Sequence, residues 1–134
     1  MIKKVKKKIS EICLFENLTE FNIENTSIDL HNDYVCIQIE YMKEEIKFIF
    51  VRNSLNEDKN LLEIVFKRIE FRKCQFEFNK LNSQLTVDNF YRGRFTDDDK
   101  LFDLTNDGKG DVFIEFYEGL SYEFFAYEMI LRIK

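Results

Sequence analysis

Six aspartates crowd one short segment of the chain: Asp97, Asp98, Asp99, Asp103, Asp107 and Asp111. Carboxylates packed this closely suit either a hard cation or a basic surface. A calcium loop of the EF-hand kind starts well: with Asp103 at its first position, Asp107 stands fifth and Gly108 sixth. It then fails, because Thr105 is third, Gly110 fills the hydrophobic eighth position and Ile114 stands where the bidentate Glu belongs. The segment reads as a solvated acidic loop that closes on an Asp-Gly turn, and no metal is expected there.

Other chemistry is scarce. His31 is the only histidine, and Cys13, Cys36 and Cys74 are far apart with no Cys-x-x-Cys pair. A thiol–imidazole pair needs both groups within hydrogen-bond reach, and in a regular strand His31 and Cys36 point to opposite faces. A structural or surface histidine and three buried free thiols are the expectation. Glu63, Glu70 and Glu77 recur every seven residues, as the outer face of a strand or helix would. Tyr91, Arg92, Gly93 and Arg94 form a small basic–aromatic patch. Nucleic-acid bases could stack there, but its acidic surroundings favour a turn with a local ion pair. No Gly-rich phosphate loop, Gly-x-Ser-x-Gly elbow or His-Glu-x-x-His is present. These absences predict a protein that is not an enzyme and carries no cofactor.

Charge bounds the partners. The formal net charge is −5, but Lys3, Lys4, Lys6, Lys7 and Lys8 sit in the first eight residues, so the rest carries −10. A body that acidic repels phosphate backbones, which favours a basic partner or none and predicts no nucleic acid. No apolar run approaches the ~20 residues that span a bilayer. Glu11 and Glu16 interrupt any apolar stretch behind the basic N-terminus, so neither a membrane association nor a signal peptide is expected. Three unpaired cysteines fit a reducing, cytoplasmic setting.

These residues must be positioned by something. The 134 residues suit one domain, and with no proline and only four glycines there is no linker to divide it. Ile2, Val5, Ile9 and Ile12 recur at helical steps and predict a short amphipathic helix over 1–14. From about residue 26 to 134 the period is two. Val35, Ile37, Ile39 and Tyr41 oppose Cys36, Gln38 and Glu40. Ile46, Phe48 and Phe50 follow after the polar connection 42–45, which predicts an antiparallel hairpin. Residues 61–79 fit a helix or strands with two slips of register, and their β-branched and aromatic content favours strands. Leu85 and Val87 open another strand. Residues 96–111 read as a long polar loop. Val112 to Phe116, a turn at Glu118-Gly119, and a long last strand from Leu120 to Ile133 with a bulge near Ala126 complete the chain. Phe113 and Tyr117 on one face of that hairpin and Phe116 on the other predict burial on both faces or an interface, with a homodimer among the possibilities. The expected class is α+β, mostly β: an antiparallel sheet or partly open barrel with one N-terminal amphipathic helix.

Several polar markers set in this strand rhythm resemble the small β-rich immunity proteins of bacterial polymorphic-toxin systems. They are Ser27-Ile28-Asp29-Leu30-His31-Asn32-Asp33 ahead of Ile37-Gln38-Ile39, then Ile46-Lys47-Phe48-Ile49-Phe50, the stretch from Ile64 to Phe71, Val112 to Gly119, and Phe124 to Glu128. The likeness runs from about Ser27 to Ile133. It departs where Leu30 precedes His31 and Asn32 separates it from Asp33. The resemblance implies a non-catalytic module that neutralises a basic toxin through an acidic surface, with Asp97, Asp98, Asp99, Asp103 and Asp107 as the contact residues. The excess of aromatic residues, 15 Phe and 6 Tyr, supports an alternative, a small barrel holding a hydrophobic ligand.

Overall fold

The computed structural model describes residues 3–6, 15–23, 25–53, 61–75, 84–102 and 108–133. Within them the chain forms fourteen strands and no helix. In order these are β1 (Lys3–Lys6), β2 (Phe15–Asn17), β3 (Glu20–Ile23), β4 (Thr26–Asp29), β5 (Tyr34–Met42), β6 (Glu45–Arg52) and β7 (Leu61–Lys67). There follow β8 (Glu70–Gln75), β9 (Val87–Gly93), β10 (Phe95–Asp97), β11 (Lys100–Phe102), β12 (Gly110–Phe116), β13 (Ser121–Ala126) and β14 (Glu128–Ile133). Of the helix expected over 1–14, Lys3–Lys6 is extended and pairs with β14; its other residues lie outside the described ones.

All pairing is antiparallel. One sheet of five strands has the order β1-β14-β7-β6-β5 and a second the order β2-β9-β12-β13-β8. Two bent strands join them. β7 runs into β8 through Arg68 and Ile69, and β13 runs into β14 through Tyr127, so the pair β7/β14 belongs to the first sheet and β8/β13 to the second. Arg68 makes the corner at φ 52°, and its guanidinium lies 4.7 Å from the centre of the Tyr127 ring. On the other side, among the described residues, a two-way backbone bridge links Cys36 to Leu85. The sheets do not close into a barrel.

The period-two pattern explains the core. Ile46, Phe48 and Phe50 of β6, Leu62, Ile64 and Phe66 of β7, and Val112, Ile114 and Phe116 of β12 all point between the sheets and are buried. Phe48 lies 5.5 Å from Tyr122 and 6.5 Å from Phe90 across the gap, and Phe66 lies 5.1 Å from Phe124. Tilted and edge-on contacts of this kind are the favoured aromatic geometry. Residues 61–75 are strands, with both slips of register visible. The first is the Arg68 corner. The second is a bulge at Arg72, which puts Phe71 opposite Phe124 and Cys74 opposite Tyr122.

Three expectations change. The last strand, expected to run from Leu120 to Ile133 with a bulge near Ala126, is two strands in different sheets, β13 and β14. β5 does not alternate regularly: a bulge between Cys36 and Gln38 leaves Ile37 37% exposed while Cys36 and Ile39 are both buried. The extra residue turns the strand over at that point. Residues 96–111 are also not all loop, since β10 and β11 form a hairpin within them.

The β5–β6 connection is a two-residue turn in which Lys43 and Glu44 have φ of 51° and 62°. Left-handed backbone at both positions follows the strand twist but disfavours side chains other than Asn, Asp and Gly. The turn is still held in place, because the Glu44 carbonyl accepts a hydrogen bond from the Ile69 amide at 2.9 Å. The double substitution Lys43→Asn, Glu44→Gly should therefore stabilise the chain by about 1–2 kcal/mol. A rise of several degrees in Tm by scanning calorimetry would show it.

Candidate functional site

Asp97 ends β10, where it pairs with Lys100. Asp98 and Asp99 are the exposed two-residue turn of that hairpin, at φ of 49° and 61°. Aspartate tolerates this left-handed geometry better than most residues, so local backbone chemistry accounts for both as well as any contact role does. Asp103 and Asp107 lie outside the described residues. Asp111 stands apart from the hairpin on the outer face of β12, 3.3 Å from Arg72. The structure thus places Asp97 in the strand that leads into the exposed tip formed by Asp98 and Asp99.

Tyr91 and Arg92 lie in β9, not in a turn, and they face opposite ways. Arg92 points inward and is fully buried, and Glu16 of β2 accepts hydrogen bonds from its Nε at 3.0 Å and Nη2 at 2.7 Å. The local ion pair expected of this patch is present, but it ties β2 to β9 beneath the surface. Glu63, expected on an outer face, is likewise buried, with its carboxylate 3.6 Å from Arg132 on the neighbouring strand.

Cys36 is buried, and burial pushes its thiol up to about 12. It is a neutral core group at physiological pH, not a nucleophile. Among the described residues no three His, Cys, Asp or Glu side chains are placed to hold a metal, and no helix is long and apolar enough to cross a membrane.

The arrangement that sequence reading missed is built around His31. Asp29, at the end of β4, accepts hydrogen bonds from the backbone amides of His31 at 3.0 Å and Asn32 at 2.9 Å, and from the Asn32 side chain at 2.9 Å. An aspartate folding the chain over itself in this way fixes the turn after β4. That turn carries the His31 ring to β9, where Nδ1 sits 2.8 Å from the Val87 carbonyl. A carbonyl only accepts, so Nδ1 carries the proton and Nε2 of the neutral ring is an acceptor. Nε2 lies 3.5 Å from the Tyr117 hydroxyl. The Tyr117 phenol is raised above its usual value by local desolvation and then by the charge and hydrogen bond of Asp88.

These groups flank a surface cleft of about 470 Å³ between β9 and the β2–β3 corner. Its polar side chains include Asn17, Glu20, His31, Asp88 and Asn89, with Tyr91 as an aromatic wall. The polar markers from Ser27 to Asp33 therefore build this corner of the molecule. A larger groove of about 650 Å³ follows β5 from Ile37 to Met42, with Lys43 and Lys47 beside Glu40 and Glu45. Its mixed charges favour no partner of one sign.

Burial would raise the Asp29 carboxyl, but the Asn32 and His31 hydrogen bonds outweigh it and hold the group below its usual 3.8. A depressed folded-state value contributes stability above the unfolded pKa, and that contribution is lost as the pH falls through the folded one. Asp29→Ala should therefore cost about 1–2 kcal/mol at pH 7. The difference from the parent should shrink below pH 3.8. Urea unfolding at pH 7 and pH 3 measures both.

The fold defines an all-β class in its described parts: two antiparallel sheets around an aromatic interior, joined by bent strands. Comparison with family models, with curated proteins and with solved structures finds no match to this chain.

Proposed function

We propose that the chain is a non-catalytic protein-binding module of the immunity type, which neutralises a basic toxin partner through its acidic surface. The observation that supports this reading is the division of labour in the molecule. Rings from both sheets occupy the interior, and the void among Leu18, Phe21, Ile64, Phe90, Met129 and Leu131 has no room for a water-sized occupant. Nothing there favours the hydrophobic-ligand alternative. The charged groups that could engage another molecule lie outside, on a body carrying −10 beyond its first eight residues. Such a surface speeds encounter with a cationic partner and selects against anionic ones.

The test is co-expression with the C-terminal domain of the protein encoded immediately upstream. The reading predicts a stable complex and relief of that domain's toxicity; neither complex nor relief would remove it. Within such a complex, reversing Asp97, Asp98 and Asp99 to Lys should slow association at least tenfold, with little change in dissociation, when measured by surface plasmon resonance. An unchanged association rate takes the β10–β11 hairpin out of the interface and leaves the rest of the reading in place.

A further inference from the structure

We propose that the cleft between β9 and the β2–β3 corner receives a cationic side chain, an arginine or lysine carried by a basic protein partner. The inference rests on the protein-binding reading above and gives it a site distinct from the β10–β11 tip.

Carboxylates set the charge of the cleft among the described residues that line it. Asp88 and Glu20 bring carboxylates, which only accept. His31 Nδ1 faces the Val87 carbonyl at 2.8 Å, and its Nε2 lies 3.5 Å from the Tyr117 hydroxyl. Asn17 Oδ1 is occupied by the Thr19 amide at 2.9 Å and hydroxyl at 2.6 Å. Asn89 turns its amide nitrogen away to Glu115, at 3.0 Å. The two carboxylates and the Asn89 oxygen remain as acceptors beside one neutral donor, the Asn17 amide nitrogen, and among the described residues lining the cleft there is no lysine or arginine. On the outer face of the second sheet Arg72 lies 3.3 Å from Asp111, and Lys73 stands in register opposite Glu123 on the far strands β8 and β13.

The wall adds a second kind of recognition. Tyr91 packs on Phe113 with ring centres 5.1 Å apart and a tilt of 32°, which leaves a half-exposed aromatic surface beside the carboxylates. The charges of Glu123 and Glu115 act on the Tyr91 phenol and, after desolvation, help to raise it. An aromatic face next to acceptors is how proteins hold guanidinium and ammonium groups, through cation–π attraction and forked hydrogen bonds. An anionic occupant would meet two carboxylates. An apolar one would strip water from them without giving a bond in return.

The experiment uses the full-length ¹⁵N-labelled chain. N-acetyl-arginine methylamide is titrated in, with N-acetyl-norleucine methylamide as the uncharged control. The proposal predicts saturable shifts at the amides of Thr19, Asn89 and Tyr91 with the arginine probe only. Affinity should fall at least tenfold in Asp88→Asn with Glu20→Gln, and stay unchanged in Asp98→Asn with Asp99→Asn. If the first double variant loses its dispersed spectrum, Asp88→Asn alone carries the test, with at least a threefold loss. Shifts that are absent, scattered, matched by norleucine, or unaltered by the cleft substitutions would overturn the proposal. Should a toxin complex form while the arginine probe misses the cleft, only the cleft assignment fails. Should arginine enter the cleft while no toxin binds, the immunity reading fails instead.

Discussion

Gly108→Ala is expected to destabilise the chain by about 3–5 kcal/mol, among the largest effects of any single substitution. Gly108 has φ of 101°, where a Cβ is strained. A Cβ there would also run into the Met129 backbone nitrogen and lie 2.9 Å from its Cα. Met129 cannot retreat, because β14 is fixed opposite β7 with Met129 facing Phe66. Gly108 stands two residues before β12, so the contact seats the entry to that strand against β14. Gly119→Ala provides the control. Its φ is 95°, yet nothing lies within 4 Å of the added carbon, so only the backbone strain of about 1–2 kcal/mol remains. Urea unfolding followed by circular dichroism separates the two. A Gly108→Ala loss no larger than that of Gly119→Ala would refute the close approach.

Glu16→Ala should cost about 3–5 kcal/mol, because it removes the carboxylate that accepts from Nε and Nη2 of the buried Arg92 guanidinium. The side chain of Arg92 is 0% exposed and that of Glu16 is 14% exposed. The two residues are also direct register partners, so the pair fixes the short edge strand β2 to β9. Burying an ion pair is itself costly, which gives the prediction a second arm: Glu16→Leu combined with Arg92→Met should recover most of the loss. The same unfolding experiment measures both. If the single variant were no less stable than the parent, the pair would be ornamental.

Much of this architecture was legible because the side-chain period of a strand is two. That rhythm located the hairpin around residues 42–45 and the strands in 61–75, since each places large rings on one side of a sheet. It gave only a bulge near Ala126 in a single last strand, whereas at Tyr127 the chain leaves one sheet for the other. The bulge at Ile37 was hidden, because an unbroken apolar alternation from Val35 to Tyr41 gives no sign of an inserted residue. The doubly apolar strands divide into two cases. Val65 and Ile130 are fully buried on the face of the first sheet turned away from the aromatic core. Phe113 is only half-buried and Tyr117 is 58% exposed. Composition reports rings but not which way they face.

The site was harder to read. The aspartate cluster drew attention through its density, whereas Asp98 and Asp99 owe their types in part to a tight turn. The cleft draws on residues scattered from Asn17 to Tyr91, and only pairing in three dimensions collects them. One local signal was present: Asp29 two and three residues before His31 and Asn32 is the spacing of an aspartate-capped turn, and it identifies His31 as a deliberately placed ring.

The central claim is that the aromatic side chains fill the space between the sheets and leave molecular recognition to the exterior. Native mass spectrometry of the freshly purified chain addresses it most directly. The account predicts the mass of the polypeptide alone, or a whole-number multiple of it, unchanged in composition when the protein is denatured. An added small apolar molecule that travels with the folded protein and is released on unfolding would contradict it.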